Sequence, residues 1–445
     1  MQRSPEITRL VCGNFRSFLS CSFSTSGVRM KDSYELIVCG AGAGGAAISS
    51  KYARKFGIGK VAVLEPSEDH FYQPMWTLVG GGIKSFEESR KKTEWVLHSD
   101  VKWYKDSVAE FLPTTNTIVT KTGKELSYEY LVVAVGLQLR YDLIKGLPEA
   151  FETPGVCSNY HRHYCLKTLK ALESFQQGNA IFSFPNTPIK CAGAPQKICY
   201  ITDDYLRRHG KRDKATIMYN TALPVIFGIK KYAEVLNGVA SSRDIQVNLR
   251  HVLTEVKPDS REAIFDVLDE NMKPKEKKSY QYEMLHVGAP CSAHEVMRRS
   301  PEITNEAGFL TVNRETLQHT KFPNIFGIGD CTDVPTAKTA AAVAGQNGVL
   351  FSNLLAAKRG QALKRRYNGY TSCPLVTGYG KCILAEFDFD GQPLETFPFD
   401  QGKERRTMFH LKKDIMPQMY WYGLLKGNWN GPDLTRKILH GGMGR

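Results

Sequence analysis

The chain has 445 residues, enough for two or three domains around a sizeable core, and 42% of them are hydrophobic, as in an ordinary globular protein. No run of about 18 apolar residues occurs, which excludes an ordinary membrane-spanning helix. The formal net charge of +14 suits an anionic partner, but the charge is dispersed and no nucleic-acid-reading motif accompanies it, so nucleic acid is not expected as a partner.

Residues 1–30 carry four arginines, many serines and a single acid, Glu6, with no apolar stretch long enough for a secretory signal. That is the composition of a mitochondrial transit peptide. Of the eleven cysteines, Cys12 and Cys21 fall in this segment. The others are scattered with no C-x-x-C pair, which argues against structural zinc and against a secreted disulfide framework.

Next comes "YELIVCGAGAGGAAISSKYARKFGIGKVAVLEPSE". An apolar strand from Tyr34 to Cys39 runs into Gly40, Gly42, Ala43, Gly44 and Gly45. A helix of small residues follows, then a strand over 60–64 that ends at Glu65. Strand, glycine turn, helix, strand and a terminal acid together form a dinucleotide-binding unit. Gly40 makes the tight turn, Gly42 admits the diphosphate, and Gly45 lets helix and strand approach. The diphosphate sits on the helix N-terminus, and Glu65 accepts from the ribose hydroxyls. Cys39 reads as a small buried hydrophobe. From Val108 through "TIVTKTGKELSY" the pattern predicts a β-meander, leading to the strand "YEYLVVAVG".

Residues 179–220 repeat the strand–turn–helix–strand rhythm, from "NAIFSF" to "KATIMYN", but the turn is "FPNTPIKCAGAP". Prolines stand where glycines would, and because proline lacks an N–H and fixes φ, the turn cannot offer the same close backbone cradle to a diphosphate. The following strand runs into "YNTALPV", which has no acid for a ribose. A nicotinamide site is therefore expected to be degenerate, and the turn carries Cys191 instead. Cys199, in the helix, reads as packing. Cys157, Cys165, Cys291, Cys331 and Cys382 have no redox role. Farther on, "FPNIFGIGDCTDVPTAKTAAAVAGQNGVL" predicts a short strand ending at Gly329-Asp330 and a helix starting near Lys338. "GYTSCPLVTGY" then holds Cys373. The tail, from "TMFHLKKDIMPQMYWYGLLKGNW" onward, mixes aromatics, Leu and Met with basic residues, a composition suited to a membrane interface.

The order of these motifs resembles the two-dinucleotide-binding-domain flavoproteins. That implies an α/β fold of two Rossmann-like domains plus a C-terminal membrane-associating region. The expected division is 31–150 for the first part of the FAD domain and 151–300 for the second Rossmann-like domain. Residues 301–358 return to the FAD domain, and 359–445 form the C-terminal region. Nearly the whole chain after residue 31 is similar to the mitochondrial sulfide:quinone oxidoreductases. The similarity is carried by "LEPSEDHFYQPMWTLVGGG", "FPNTPIKCAGAPQK", "FGIGDCTDVPTAKTAAAVA", "GYTSCPLVTGY" and "AEFDFDGQPLETFPFDQGKER".

The resemblance implies bound FAD, with Glu65, Gln73, Val108, Asp330, Ala340, Ala341, Ala342 and Val343 in contact with it, Val108 through its backbone. Lys338 is a further candidate at the cofactor. Cys191 and Cys373 would be the redox pair, with Cys373 carrying the persulfide and Cys191 addressing the flavin. Implied partners are hydrogen sulfide, ubiquinone, and glutathione or sulfite as sulfur acceptor, with peripheral contact at the mitochondrial inner membrane. Tyr379, Phe387 and Phe389 are candidates for a quinone pocket. The rival readings are a type II NADH:quinone oxidoreductase, a non-catalytic redox-sensing flavoprotein, and a flavocytochrome c-type sulfide dehydrogenase.

Overall fold

A computed structural model describes residues 32–442 of the chain. The transit-peptide expectation for 1–30 lies outside the described residues.

The first sheet is built on β1 (Asp32–Cys39), whose second half is wholly buried. After it come α1 (Ala43–Phe56), β2 (Val61–Leu64), β3 (Lys102–Tyr104), β4 (Val108–Leu112), β5 (Thr117–Thr120) and β6 (Glu125–Val133). The strand order is β3-β2-β1-β6-β5-β4. The first four are parallel, and the meander β4–β5–β6 closes the edge antiparallel. β1 and β2 are apolar on both faces because helices and a meander cover both sides of a parallel sheet. Gly40 takes φ +97°, open to glycine. A Cβ at Gly45 would lie 1.8 Å from the Gly40 carbonyl oxygen, so only glycine lets α1 start this close to β1.

The second sheet contains β7 (Val156–Cys157), β8 (Gly178–Phe184), β9 (Ala215–Thr221), β10 (Ile245–Leu249) and β11 (Met284–Val287), with α2 (Ala194–Arg208) crossing between β8 and β9. Its order is β7-β11-β8-β9-β10 and every pairing is parallel. α2 starts with Pro195 in its first turn, where a missing N–H costs nothing. A three-stranded antiparallel meander spanning 251–281 branches from this sheet.

The chain then returns. β12 (Ile325–Gly327) pairs in parallel with β6, and α3 (Ala340–Lys358) packs beside α1. The hairpin β13 (Thr371–Gly378) and β14 (Lys381–Phe387) lies against α2, pairing Cys373 with Ala385. Successive helical segments run from Arg406 to Leu424, with π-helical turns at Leu411–Ile415 and Met419–Leu424, and α4 (Asp433–Leu439) ends the described chain. Among the described residues no helix is long and apolar enough to cross a membrane.

Candidate active site

The carboxyl ends of β1 and β8, the start of α3 and the C-terminal helical segments enclose a cavity of about 720 Å³. Gly40, Gly42, Ala43, Gly44, Glu65, Gln73, Asp330, Lys338, Ala340, Ala341, Val343 and Cys191 line it. Gly45 shapes the turn from behind. Val108 and Ala342 are buried in neighbouring structure and do not line the cavity.

The dinucleotide end is organised by backbone. Glu65 accepts from the Ala41 N–H at 2.9 Å and the Ser67 N–H at 2.8 Å. Burial pushes its carboxyl up, against the pull of those two donors. A Cβ at Gly42 would meet nothing within 4 Å, so this glycine faces open space in the turn. Thr339 caps α3 by accepting from the Ala342 N–H at 3.1 Å, which leaves the first turn of the helix facing the cavity. Burial raises the Asp330 carboxyl, and Lys190 and Lys338 oppose the rise. Trp76 Nε1, Asn159 Nδ2, His161 Nδ1 and Ser372 Oγ are buried at the cavity wall with no hydrogen-bond partner among the described residues. Orphaned donors and acceptors, a glycine turn facing open space and a helix N-terminus fit a flavin nucleotide with an anionic diphosphate and polar ring edges.

At the other end sits the thiol pair. Cys191 adopts φ +47°, a left-handed conformation that costs a non-glycine residue roughly 1 kcal/mol or more. Three contacts hold it there. Its N–H donates to the Lys338 carbonyl at 2.9 Å, its carbonyl accepts from the Ala194 N–H at 2.9 Å, and the Tyr160 hydroxyl donates to the same carbonyl at 3.1 Å. The neighbouring Cys373 thiol and Lys197 Nζ, at 3.2 Å, hold the Cys191 thiol well below its ordinary range despite burial. The neighbouring Cys191 and burial drive the Cys373 thiol up. Burial works to neutralise Lys197, but the sulfurs of Cys191 and Cys373 together outweigh it and raise the ammonium. Lys412, also on the cavity wall, is held down to about 8 by burial and by Lys197.

No other described cysteine shares this environment. Cys39, Cys157, Cys165, Cys199, Cys291, Cys331 and Cys382 are buried, and burial raises every one of their thiols, Cys382 and Cys157 to about 12. Such thiols are inert hydrophobes.

Three groups escape a reading of the sequence. Gly193, the residue before α2, leaves room for the pair: a Cβ there would lie 2.5 Å from Cys373 Sγ. Lys197 and Lys412 stand 215 positions apart, and only the fold brings both to Cys191. His70 is the third. Its Nδ1 contacts the Ala41 carbonyl at 3.0 Å and its Nε2 the Tyr420 hydroxyl at 2.7 Å. The carbonyl only accepts, so Nδ1 carries the hydrogen and Nε2 accepts from Tyr420. Burial lowers this imidazole to about 4. His70 thus fastens the glycine turn to the C-terminal helical segments. The "HFYQP" context signals only that the segment is unusual.

The aromatic quinone candidates lie elsewhere. Phe387 and Phe389 line a second cavity of about 630 Å³ with Asp333, Asp388 and Asp390. Tyr379 donates to the Gly81 carbonyl at 2.6 Å and lines neither cavity. Leu411, Met416, Met419 and Leu424 give the main cavity an apolar end. Lys338 lines the cavity, but its ammonium donates to the Thr332 carbonyl at 2.6 Å.

Two parallel sheets, a glycine turn facing open space and Cys191 on the wall of the same cavity define a flavin-dependent oxidoreductase with two dinucleotide-binding domains. No family model matches the chain. It is 54% identical over 413 residues to the mitochondrial sulfide:quinone oxidoreductase of Mus musculus, covering 93% of this chain and 91% of the mouse protein. It is 45% identical to the Dictyostelium discoideum counterpart, covering 91% and 88%. The crystal structure of the Aquifex aeolicus sulfide:quinone oxidoreductase superposes with a TM-score of 0.73 at 17% identity, over 93% of this chain and 96% of that one, which speaks to the fold alone. The chain belongs to the mitochondrial sulfide:quinone oxidoreductases.

Proposed function

We propose that this protein oxidises hydrogen sulfide through a Cys191–Cys373 disulfide, with FAD as its flavin and ubiquinone as electron acceptor. The reading is carried by one observation: Cys191, on the wall of a nucleotide cavity, has the Lys197 ammonium at 3.2 Å and the Cys373 thiol beside it. Hydrosulfide attacks Cys373 Sγ of the oxidised pair. The new S–S bond forms a persulfide on Cys373, the old one breaks, and Cys191 leaves as thiolate. Lys197 holds that leaving thiolate, and the Cys373 sulfur keeps it oriented toward the cavity. Lys412 lies close enough to neutrality to take a proton from H₂S. Bound FAD would supply the two-electron acceptor: the electron pair leaves the sulfurs as the Cys191 and Cys373 thiolates rejoin, and the flavin would hand it on to quinone. Glycine-turn N–H groups, Glu65 and the α3 N-terminus would hold its diphosphate, ribose and ring. A thiophilic acceptor, glutathione or sulfite, removes the sulfane sulfur and frees Cys373 to close the pair again.

Quinone is lipophilic, so its entry calls for a membrane contact. Supporting it, α4 presents Leu434 at 72% and Ile438 at 68% exposure, one turn apart. An amphipathic helix of this kind lies in the interface of a bilayer. The site of action is then the surface of the mitochondrial inner membrane, touched but not spanned.

The test is anaerobic sulfide titration of wild type, Cys191→Ser and Cys373→Ser, followed by flavin absorbance. Wild type should bleach rapidly and both variants should lose that response. Normal bleaching in Cys373→Ser would remove the pairing. Faster bleaching by NADH than by sulfide would favour the NADH:quinone oxidoreductase reading, to which "PNTPIKCAGAP" gives no support.

A further inference from the structure

The strand Arg90–Lys92 and the short helix Thr93–Val96 meet the end of the C-terminal helical segments at an exposed aromatic cluster. Trp95 and Tyr422 are 39% and 54% exposed, and their rings meet edge to face at 5.7 Å. Lys91 Nζ sits 3.7 Å from the Trp95 ring centroid and 4.9 Å from that of Tyr422. Lys426 Nζ stands 4.2 Å from the Trp95 centroid and donates to the Val96 carbonyl at 3.1 Å. Arg54 reaches the same place from α1, donating to the Lys426 carbonyl and to Asn428.

Among the described residues none of these cations has a carboxylate partner, although neighbouring lysines and arginines do. Lys84, Arg90 and Lys92 pair with Glu88, Glu87 and Asp69. Glu94, next to Trp95, forms no ion pair with Lys91, Lys426 or Arg54 among the described residues. The crowding has a measurable consequence: burial lowers the Lys426 ammonium, and Lys91 and Arg54 lower it further. Three cations held together by ring faces and carbonyls, at a surface whose rings are half in solvent, are arranged for a multivalent anion with an apolar body.

We propose that Lys91, Lys426 and Arg54, around Trp95 and Tyr422, form a docking site for the phosphate headgroup of an anionic phospholipid in a bilayer. This rests on the membrane contact proposed above and adds the lipid class and the residues that select it. Aromatic rings settle at the headgroup level while lysines and arginines meet the phosphate, so the cluster would set the depth and tilt at which the cavity's apolar end faces the membrane. Charge complementarity favours a lipid surface over a second copy of this basic chain.

The test is flotation of the flavin-loaded full chain with vesicles of phosphatidylcholine alone or mixed with phosphatidylglycerol. Wild type should prefer the anionic vesicles by about tenfold or more, and salt should erode the preference. Lys91→Glu, and separately Lys91→Gln/Lys426→Gln, should lose most of that preference while keeping bound flavin and sulfide-dependent reduction of a short-chain soluble quinone. Equal binding of wild type to both vesicles would overturn the headgroup site and leave the membrane contact standing. Binding to neither would overturn both. A preference that survives in the variants would move the site elsewhere. Abolition of vesicle binding by inorganic phosphate, beyond the effect of chloride at equal ionic strength, would make it a small-anion site and overturn the proposal.

Discussion

Replacing Gly193 by alanine separates the packing of the thiol pair from its chemistry. Gly193 has φ −81°, which alanine adopts without strain, so the only new feature is a methyl group. That methyl would lie 2.5 Å from Cys373 Sγ and 2.8 Å from Leu375 Cδ2. Carbon and sulfur in packed interiors keep to roughly 3.5–4 Å, so the Cys373 sulfur has to retreat by about 1 Å. Cys373 is 4% exposed on a strand paired along its length, and overpacking there costs about 1–3 kcal/mol. A disulfide tolerates little change in the separation of its carbons, and a misplacement of about 1 Å at a reacting centre can cost about 100-fold in rate. Gly193→Ala should therefore bind flavin normally, melt a few degrees lower, and show sulfide-dependent bleaching slowed by about two orders of magnitude. Thiol titration should find Cys191 and Cys373 reduced under conditions that oxidise wild type. A variant that bleaches at the wild-type rate, with its pair oxidised, would refute the reasoning.

Lys197→Met removes the cation 3.2 Å from Cys191. Hydrogen bonds to charged groups contribute about 1.5–3 kcal/mol, so bleaching near neutral pH should slow at least about tenfold, with the rate profile displaced to higher pH because the thiolate forms later. His70 stays neutral in the folded protein down to about pH 4, whereas unfolded histidine protonates near 6.5. Between those values the unfolded state holds more protons, so stability falls with pH, by about 3 kcal/mol at the bottom of the window. His70→Asn should show a flatter dependence of melting temperature from pH 6.5 to 4, and weaker flavin retention measured by release of fluorescence. Gly42→Val places a side chain where nothing else lies within 4 Å. It should fold, with unchanged circular dichroism, yet purify without flavin. Cys199→Ala should leave sulfide titration unchanged and cost about 1–2 kcal/mol in unfolding, as expected of a buried packing thiol.

The first dinucleotide unit was legible from residues 34–65 because its signals are local. A strand, a turn that demands φ above zero at Gly40 and an acid at the next strand end all fall within one supersecondary unit. The proline-rich character of the second turn was legible for the same reason, since proline removes an N–H group wherever it stands. The assignment of Cys191 and Cys373 rested on resemblance alone. The quinone candidates Tyr379, Phe387 and Phe389 were drawn from aromatic content, which carries no direction. β14 turns Phe387 toward the second cavity, and Tyr379 is held by the Gly81 carbonyl.

The sequence by itself determined the class of fold and the position of the glycine turn, because each depends on which φ values a few consecutive residues can supply. Tertiary structure alone decided what sets one thiol apart among the nine described. Cys191 meets Cys373 from a hairpin 182 positions away and Lys412 from a helical segment beyond it, and it meets Lys197 only because α2 turns that residue back upon it. Whether a thiol ionises depends on charges and burial within a few ångströms, and those distances exist only once the chain has closed on itself.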